Sequence, residues 1–428
     1  MRPDERPFDE IVSVVRLLAF AYACEPVEGS EPGAGWAWAR MLARFGDTWV
    51  LTRANNRGPI EAGLSAIPER DALHFVYVDL PTWARSWKKG SRGLRLYYLL
   101  WQVAALRAAR SLDRSEDFDV VWHLTLANAW LGTSASLVGP PFVYGPVGGG
   151  VGPPWRLVPS MGLRPTLYEV ARWVARGAGR YLNPLARLAW VRAHSILVQN
   201  PETLAWLPRP HRRKARVLPN VVLSSLPNVE RGNGDRPKTA LFAGRFLGWK
   251  GVDLAIDAVA RLPDWRLLIC GAGPDESRLR RRAASAGVLD RRVSFTGWLP
   301  RSEVLRLMRE EAGVFLFPSL HDEAGWVIVE ALAAGLPIVC LDRGGPPLLA
   351  GRHGVVVPAS GNTRSVTSRL SAALERARTM SMAGSADLAR DYLVDLRARR
   401  LGETVEQLAA PIGSNRAERE ANAVDDGP

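Results

Sequence analysis

Short runs of β-branched and aliphatic residues alternate with longer stretches of helical periodicity along nearly the whole chain, and the alternation restarts after one proline- and glycine-rich segment. Such alternation marks parallel βαβ units, because parallel strands are joined only by a crossover long enough to hold a helix. In the first half the predicted strands are Val15–Ala21, Thr48–Leu51, Leu73–Val78, Asp119–Trp122, Pro141–Tyr144 and Ser195–Val198. Ser224–Lys238, with Pro227, Gly232, Gly234 and Pro237, reads as a linker. Beyond it the pattern predicts strands Thr239–Ala243, Trp265–Cys270, Val293–Phe295, Val314–Phe317 and Ile338–Leu341. Helices are expected between them from about Val252 and over Asp275–Ala286, Ser302–Glu311 and Trp326–Ala334. The fold class expected is α/β, with two Rossmann-like doubly wound domains over residues 1–223 and 239–387, joined by a linker at 224–238. Residues 388–413 are expected to form a C-terminal helix, periodic over Leu388–Leu408, that packs back toward the N-terminal domain. Residues 414–428 are expected to be a disordered polar tail.

At 428 residues, 47% apolar and 23% charged, the chain can bury two cores and is too apolar for wholesale disorder. Cys24, Cys270 and Cys340 sit in or beside apolar runs without metal-ligand spacing, which argues against a disulfide framework or a zinc site and fits a reducing compartment. Arg16 interrupts the first apolar run and no small-residue cleavage site follows, so the start reads as a polar tail and a buried strand rather than a signal peptide. No run approaches the roughly 18 to 20 apolar residues of a membrane span. The net charge of +13 suits nucleic acid, an anionic membrane or phosphorylated ligands equally. Its cations are nearly all Arg and no nucleic-acid-binding signature accompanies them, so no nucleic-acid partner is expected.

The chemistry concentrates at strand ends. In Ala243-Gly244-Arg245-Phe246-Leu247-Gly248-Trp249-Lys250-Gly251 a buried strand ends in a glycine turn that delivers one Arg and one Lys just before a helix. Arg offers a fork for two phosphate oxygens and Lys a mobile point charge, a pair suited to a diphosphate gaining negative charge; the alternative is a surface turn with a solvated Lys. In His321-Asp322-Glu323-Ala324-Gly325-Trp326, Gly325 stands at a predicted helix start whose N–H groups can meet a phosphate, and Glu330 lies further along, where a carboxylate can take a ribose diol. Asp322 and Glu323 are candidates for sugar hydroxyls, or alternatively helix-capping acids. On the N-terminal side, Gly33 and Gly35 follow the first strand and let backbone approach a diphosphate. Trp155–Arg192 breaks the alternation with aromatic and cationic residues, suiting either a membrane interface or an ordinary amphipathic helix pair.

Taken together, G-R-x4-K-G with Arg245 and Lys250, the acidic-x7-Glu element ending at Glu330, Ala-Gly-Leu-Pro-Ile-Val at 334–339 and the Gly344-Gly345 turn resemble retaining glycosyltransferases of family 4 (glycosyl transferases group 1). That resemblance implies the GT-B fold, two facing Rossmann-like domains with an interdomain cleft, the C-terminal one binding the donor. It implies transfer of a hexosyl group from a UDP- or GDP-sugar to a glycan or polyprenyl-linked acceptor, without metal or other cofactor, in cell-surface polysaccharide or glycolipid synthesis. The family has Glu where spacing puts Asp322, with Glu323 beside it, so either carboxylate fits the first acidic role. By the same resemblance Gly271 and Gly273 belong to the loop after the second donor-domain strand, Thr296 and Gly297 flank the base, and Ala324, Gly325 and Trp326 meet the phosphates. Gly148 and Gly149 resemble an exopolysaccharide-enzyme loop, and His123 the family's sugar-facing histidine, with a satisfied structural histidine as the alternative. A cytoplasmic enzyme peripheral to the inner membrane face is expected, with Trp83, Trp87, Lys88, Lys89 and Arg92 contributing. The competing readings are a sugar-nucleotide epimerase or hydrolase on the same fold, and a catalytically silent nucleotide-sugar-binding subunit.

Overall fold

The computed structural model describes residues 15–26, 31–81, 93–226, 236–399 and 401–402. Two parallel sheets organise them. The first runs β3 (Leu73–Tyr77), β2 (Thr48–Thr52), β1 (Leu17–Phe20), β4 (Val120–His123), β5 (Phe142–Val147), β6 (Ala193–Val198), β7 (Ala215–Val217). The second runs β10 (Val293–Gly297), β9 (Arg266–Cys270), β8 (Thr239–Ala243), β11 (Val314–Phe317), β12 (Ile338–Leu341), β13 (Gly354–Val357). In each, the order reverses beside the first strand, at β1 and at β8, which is where doubly wound sheets open a crevice beyond their carboxyl ends.

Central strands such as Leu-Leu-Ala-Phe of β1 and Val-Phe-Leu-Phe of β11 are buried along their whole length, because helices cover both faces of the sheet. Trp38, Trp101, Trp122, Trp190 and Trp265 are among the largest fully buried side chains. The first four give their indole N–H to the carbonyls of Asn220, Val78, Gly145 and Ala129, and Trp265 gives its own to Glu375 Oε1. Satisfying that donor lets each bury a large ring without an orphaned polar atom.

Two edge strands, β7 and β13, escape the sequence pattern: three and four residues long, they carry little periodicity. The predicted helix over Leu388–Leu408 is corrected. A helix at Ser385–Arg390 stops, Leu223 N–H donates to the Tyr392 carbonyl at 2.8 Å, and Val394 N–H donates to the Leu223 carbonyl at 3.1 Å. Backbone pairing with the segment leading into the linker replaces the helical bonds there, and helix resumes at 394–399. Val394, Ala398 and Leu401 are buried in one cluster with Leu17, Trp38 and Val120 of the N-terminal domain. Residues 403–428, most of the predicted linker and Trp83, Trp87, Lys88, Lys89 and Arg92 lie outside the described residues.

The carboxyl ends of the two sheets face each other. The 3-10 turn Val158–Met161 puts Val158 and Met161 into the C-terminal domain's own core, and Arg278 Nη1 reaches back to the Ser160 carbonyl at 3.4 Å. Among the described residues no helix is long and apolar enough to cross a membrane.

Arg397, only 5% exposed, ties the returning chain to the segment before the linker: Nη2 donates to the Pro219 carbonyl at 2.6 Å and Nε to the Val221 carbonyl at 3.3 Å. Arg397→Ala strips buried carbonyls of charged donors and is expected to cost about 1–3 kcal/mol, read as a lower denaturant midpoint.

Candidate functional site

Backbone meets backbone at the ends of β8, β9 and β11, and glycine makes this possible. Gly271 adopts φ +140°, and a Cβ there would stand 2.0 Å from the Gly244 carbonyl oxygen; at Gly273 it would stand 2.5 Å from that of Phe246. Gly251, at φ +68°, brings the turn after β8 against the loop after β11, where a Cβ would lie 2.0 Å from the Pro318 oxygen. Gly344, at φ +65°, does the same against Asp322, where the distance would be 1.9 Å. Only a residue without Cβ allows such approaches.

The β8 and β9 loops enclose a cavity of about 200 Å³ lined by Gly244, Arg245, Gly271, Ala272, Trp298 and Val304. Arg245 is exposed at its rim and makes no side-chain hydrogen bond or ion pair with any described residue. Thr296 and Gly297 end β10, next to the cavity lining in sequence, the Gly297 carbonyl accepting from Gly271 N–H at 2.9 Å. Trp298, next in sequence and 75% exposed, is a ring that the sequence reading passed over. Its signal was an aromatic directly after a strand-ending glycine.

Lys250, at the end of the turn Gly248–Lys250, lies over the Phe317 ring at 5.1 Å and is ion-paired with Asp322. The pair is four-fifths buried or more, so its attraction is screened less than at a surface. Gly325, at φ +88°, caps the helix Trp326–Ala333 without a side chain, and Ala324 is buried beneath Gly345. Glu330 on that helix takes Arg301 Nε at 2.6 Å.

Glu323 points elsewhere. Its Oε2 accepts from Asn200 Nδ2 at 2.9 Å and Thr203 Oγ1 at 3.1 Å, both in the N-terminal domain. The two adjacent acids thus divide: Asp322 faces the Lys250 ammonium and Glu323 the other domain. Gly148 lies against the same carboxylate, a Cβ there falling 2.8 Å from Glu323 Cγ, and at Gly149 it would fall 2.7 Å from Asn128 Oδ1. Gly33 shares a small crevice with Trp36, Val222 and Trp326, and Gly35 packs on the Ala23 carbonyl, 2.1 Å from where a Cβ would be. The structure therefore brings Lys250 to Asp322, Gly148 to Glu323, Gly33 to Trp326, and Arg245 to Gly244 and Gly271.

His123 is not among them. It is 1% exposed at the end of β4, its Nδ1 3.1 Å from Thr133 Oγ1 and Nε2 3.3 Å from Tyr98 Oη. Burial drives its pKa down to about 3, so the ring is neutral, and both of its nitrogens lie within hydrogen-bond reach of a hydroxyl.

The helix Leu163–Leu182 supplies groups that the motifs did not flag. Tyr168, Trp249 and His321 form a stack with centroids 5.2 Å apart at each step. Glu169, fully buried, accepts from Arg172 Nε at 3.2 Å and lies 2.6 Å from His321 Nε2. Burial raises its pKa, but hydrogen bonds and charge from His321 and Arg172 outweigh burial and hold it below the usual carboxylate range. Helical periodicity marked this segment without saying which face would meet the other domain.

Residues 229–386 match the family model for glycosyl transferases group 1. Among curated proteins, 108 residues are 40% identical to 2-deoxystreptamine glucosyltransferase of Streptomyces kanamyceticus, covering 24% of this chain and 27% of that one. Over 152 residues the chain is 34% identical to the lipopolysaccharide core biosynthesis glycosyltransferase LpsE of Rhizobium meliloti strain 1021, covering 34% of this chain and 44% of that one. The alignments span less than half of either relative. Among solved structures, Anabaena Alr3699/HepE in complex with UDP superposes with a TM-score of 0.59 at 16% identity, over 92% of this chain and 100% of that one. The architecture is the GT-B fold, two Rossmann-like domains facing across a cleft.

The buried His123 gives a pH signature. Above about 6.5 both folded and unfolded chains hold it neutral; below that the unfolded chain takes up a proton that the folded chain refuses, so this group withdraws stability as pH falls from 6.5 toward about 3. Its imidazole NMR resonances are expected to stay those of the neutral ring from pH 8 to pH 5. A midpoint near the ordinary histidine value would overturn the assignment.

Proposed function

We propose that this chain is a glycosyltransferase that binds a nucleoside-diphosphate sugar in its C-terminal domain and passes the sugar, with retention, to a hydroxyl of a glycan or lipid-linked acceptor. The observation that carries the proposal is the glycine turn after β8, which sets Arg245 free at a cavity rim and Lys250 beside a second glycine-capped loop. Support comes from the family model over this domain, from relatives named as glycosyltransferases, and from the Anabaena structure with UDP.

On this reading the base lies in the cavity lined by Gly271, Ala272 and Trp298, close to Thr296 and Gly297 in sequence, and Glu330 takes the ribose. The diphosphate reaches Lys250, Arg245 and the N–H groups at Gly325 and Trp326. The bond from the anomeric carbon to the phosphate oxygen breaks, the acceptor oxygen bonds to that carbon on the same face, and the acceptor's proton leaves on the departing phosphate. Charge therefore accumulates beside these donors as the bond breaks. Lys250 must exchange Asp322 for phosphate as the donor enters, which leaves the Asp322 carboxylate beside the sugar. Retention and the polysaccharide or glycolipid role rest on the motif resemblance.

Lys250→Ala and Arg245→Ala are each expected to lower turnover of UDP- or GDP-sugars by roughly 10²-fold while the fold persists. Near-normal rates would remove the phosphate-clamp assignment. In the same assay Asp322→Asn is expected to harm turnover more than Glu323→Gln, and wild-type rates in both would clear either carboxylate of a role.

A peripheral membrane site is part of the proposal. The helix Leu163–Leu182 exposes Leu163, Leu167, Val170 and Val174 at helical spacing, Trp155 and Trp173 pack edge to face at 5.7 Å, and Arg156, Arg164 and Arg187 are exposed nearby. Such a face suits an anionic lipid surface, with about 1 kcal/mol per cation. Co-sedimentation with anionic vesicles is expected at low salt and is expected to weaken at high salt. No binding at low salt would sink the membrane site alone.

A further inference from the structure

Thr203 and Asn200 stand at the start of a short helix, Pro201–Trp206, and both side chains are fully buried. Asn200 Oδ1 accepts from Thr203 N–H at 2.8 Å, which fixes the orientation of the amide. Its nitrogen must then face outward, and Nδ2 lies 2.9 Å from both the Glu323 carbonyl oxygen and Glu323 Oε2. Thr203 Oγ1 accepts from Gly150 N–H at 3.2 Å, so its own proton is left for Glu323 Oε2 at 3.1 Å. Glu202, between them, accepts from Gly344 N–H at 2.8 Å and lies 3.6 Å from Arg343 Nη1. Gly345 N–H in turn donates to the Asp322 carbonyl at 2.9 Å.

One chain of hydrogen bonds therefore runs from the Gly148–Gly150 loop of the N-terminal domain through Thr203 to Glu323, whose neighbour Asp322 is paired with Lys250. A second runs from Glu202 through Gly344 and Gly345 to Asp322 from the other side. We propose that Glu323, held by Asn200 and Thr203 and seconded by Glu202, is a cross-domain latch that sets the position of the 322–325 loop when the two domains are closed. It is a positioning residue. Every bond in the latch can be exchanged for water when the domains part, so it can open and reform within a catalytic cycle without leaving a buried group unpaired. The carboxylate belongs there because two neutral donors converge on one oxygen, and a charged acceptor strengthens both bonds. Its consequence for turnover rests on the transferase reading; its geometry does not.

The latch is tested first without any substrate. Spin labels at the exposed positions Arg213→Cys and Arg281→Cys report the interdomain distance in the ligand-free protein, whose native cysteines are buried. Glu323→Ala is expected to shift the distribution toward longer distances, Thr203→Val to shift it in the same direction, and the double variant to add little, since both remove one interaction. Glu323→Gln keeps an acceptor oxygen and is expected to keep most of the closed population. An unchanged distribution in Glu323→Ala, or full additivity of the two changes, overturns the latch. Turnover of UDP- and GDP-sugars is then expected to fall roughly tenfold in Glu323→Ala through kcat, with KM for the donor moving little and with recovery in Glu323→Gln. A loss confined to KM would make Glu323 a donor contact and overturn the positioning role. Absence of turnover in the unaltered protein would fail the transferase reading while leaving the distance result standing.

Discussion

The site depends on main chain lying directly on main chain. At Gly271 against Gly244, Gly251 against Pro318 and Gly344 against Asp322, two peptide groups sit closer than any side chain would permit. These contacts fix the loops after β8, β9, β11 and β12 to one another as a single rigid rim. Arg245 and Lys250 are long and flexible, and such side chains serve as aimed charges only when the backbone carrying them is immobile. The rim supplies that immobility without covering itself, because its contacts are made by atoms too small to fill the space above.

Much of this was legible in the sequence because parallel strands and glycine turns leave strong local marks. The apolar run of β8 followed by Gly244, Arg245 and Lys250 announces both the strand end and the charges it delivers. What was not legible is which of two adjacent acids turns inward. Asp322 and Glu323 differ by one methylene and one position, and the choice is made by Asn200 and Thr203, more than a hundred residues earlier in the chain. Likewise His123 sits at a strand end, where accessible groups are common, but Tyr98 and Thr133 close over it, and nothing local records their approach. Edge strands β7 and β13 were missed for the converse reason: they are ordered by their neighbours more than by their own pattern.

The two domains share more than a cleft. Val158 and Met161 come from the first domain and are buried in the core of the second, while Val394 and Ala398 return from beyond the second domain to the core of the first. Each domain thus keeps part of its apolar interior on loan from the other's stretch of chain, which restricts their relative motion to modes that leave both insertions seated. The cross-domain contacts of Asn200, Glu202 and Thr203 are hydrogen bonds, which water can replace, whereas the insertions are apolar.

The helix Leu163–Leu182 answers to two different surroundings at once. Tyr168, Glu169 and Arg172 face Trp249, His321 and the Val151 carbonyl, Arg176 donates to the Gly150 carbonyl at 2.8 Å, and Leu163, Leu167, Val170 and Val174 stand in the open. A single residue inserted near its start would rotate everything downstream by about 100°. Glutamate and arginine would swing toward solvent and valine toward the glycine loop, so both faces would fail together. The helix should therefore accept exchanges of residue type on its open side far more readily than any change in its length.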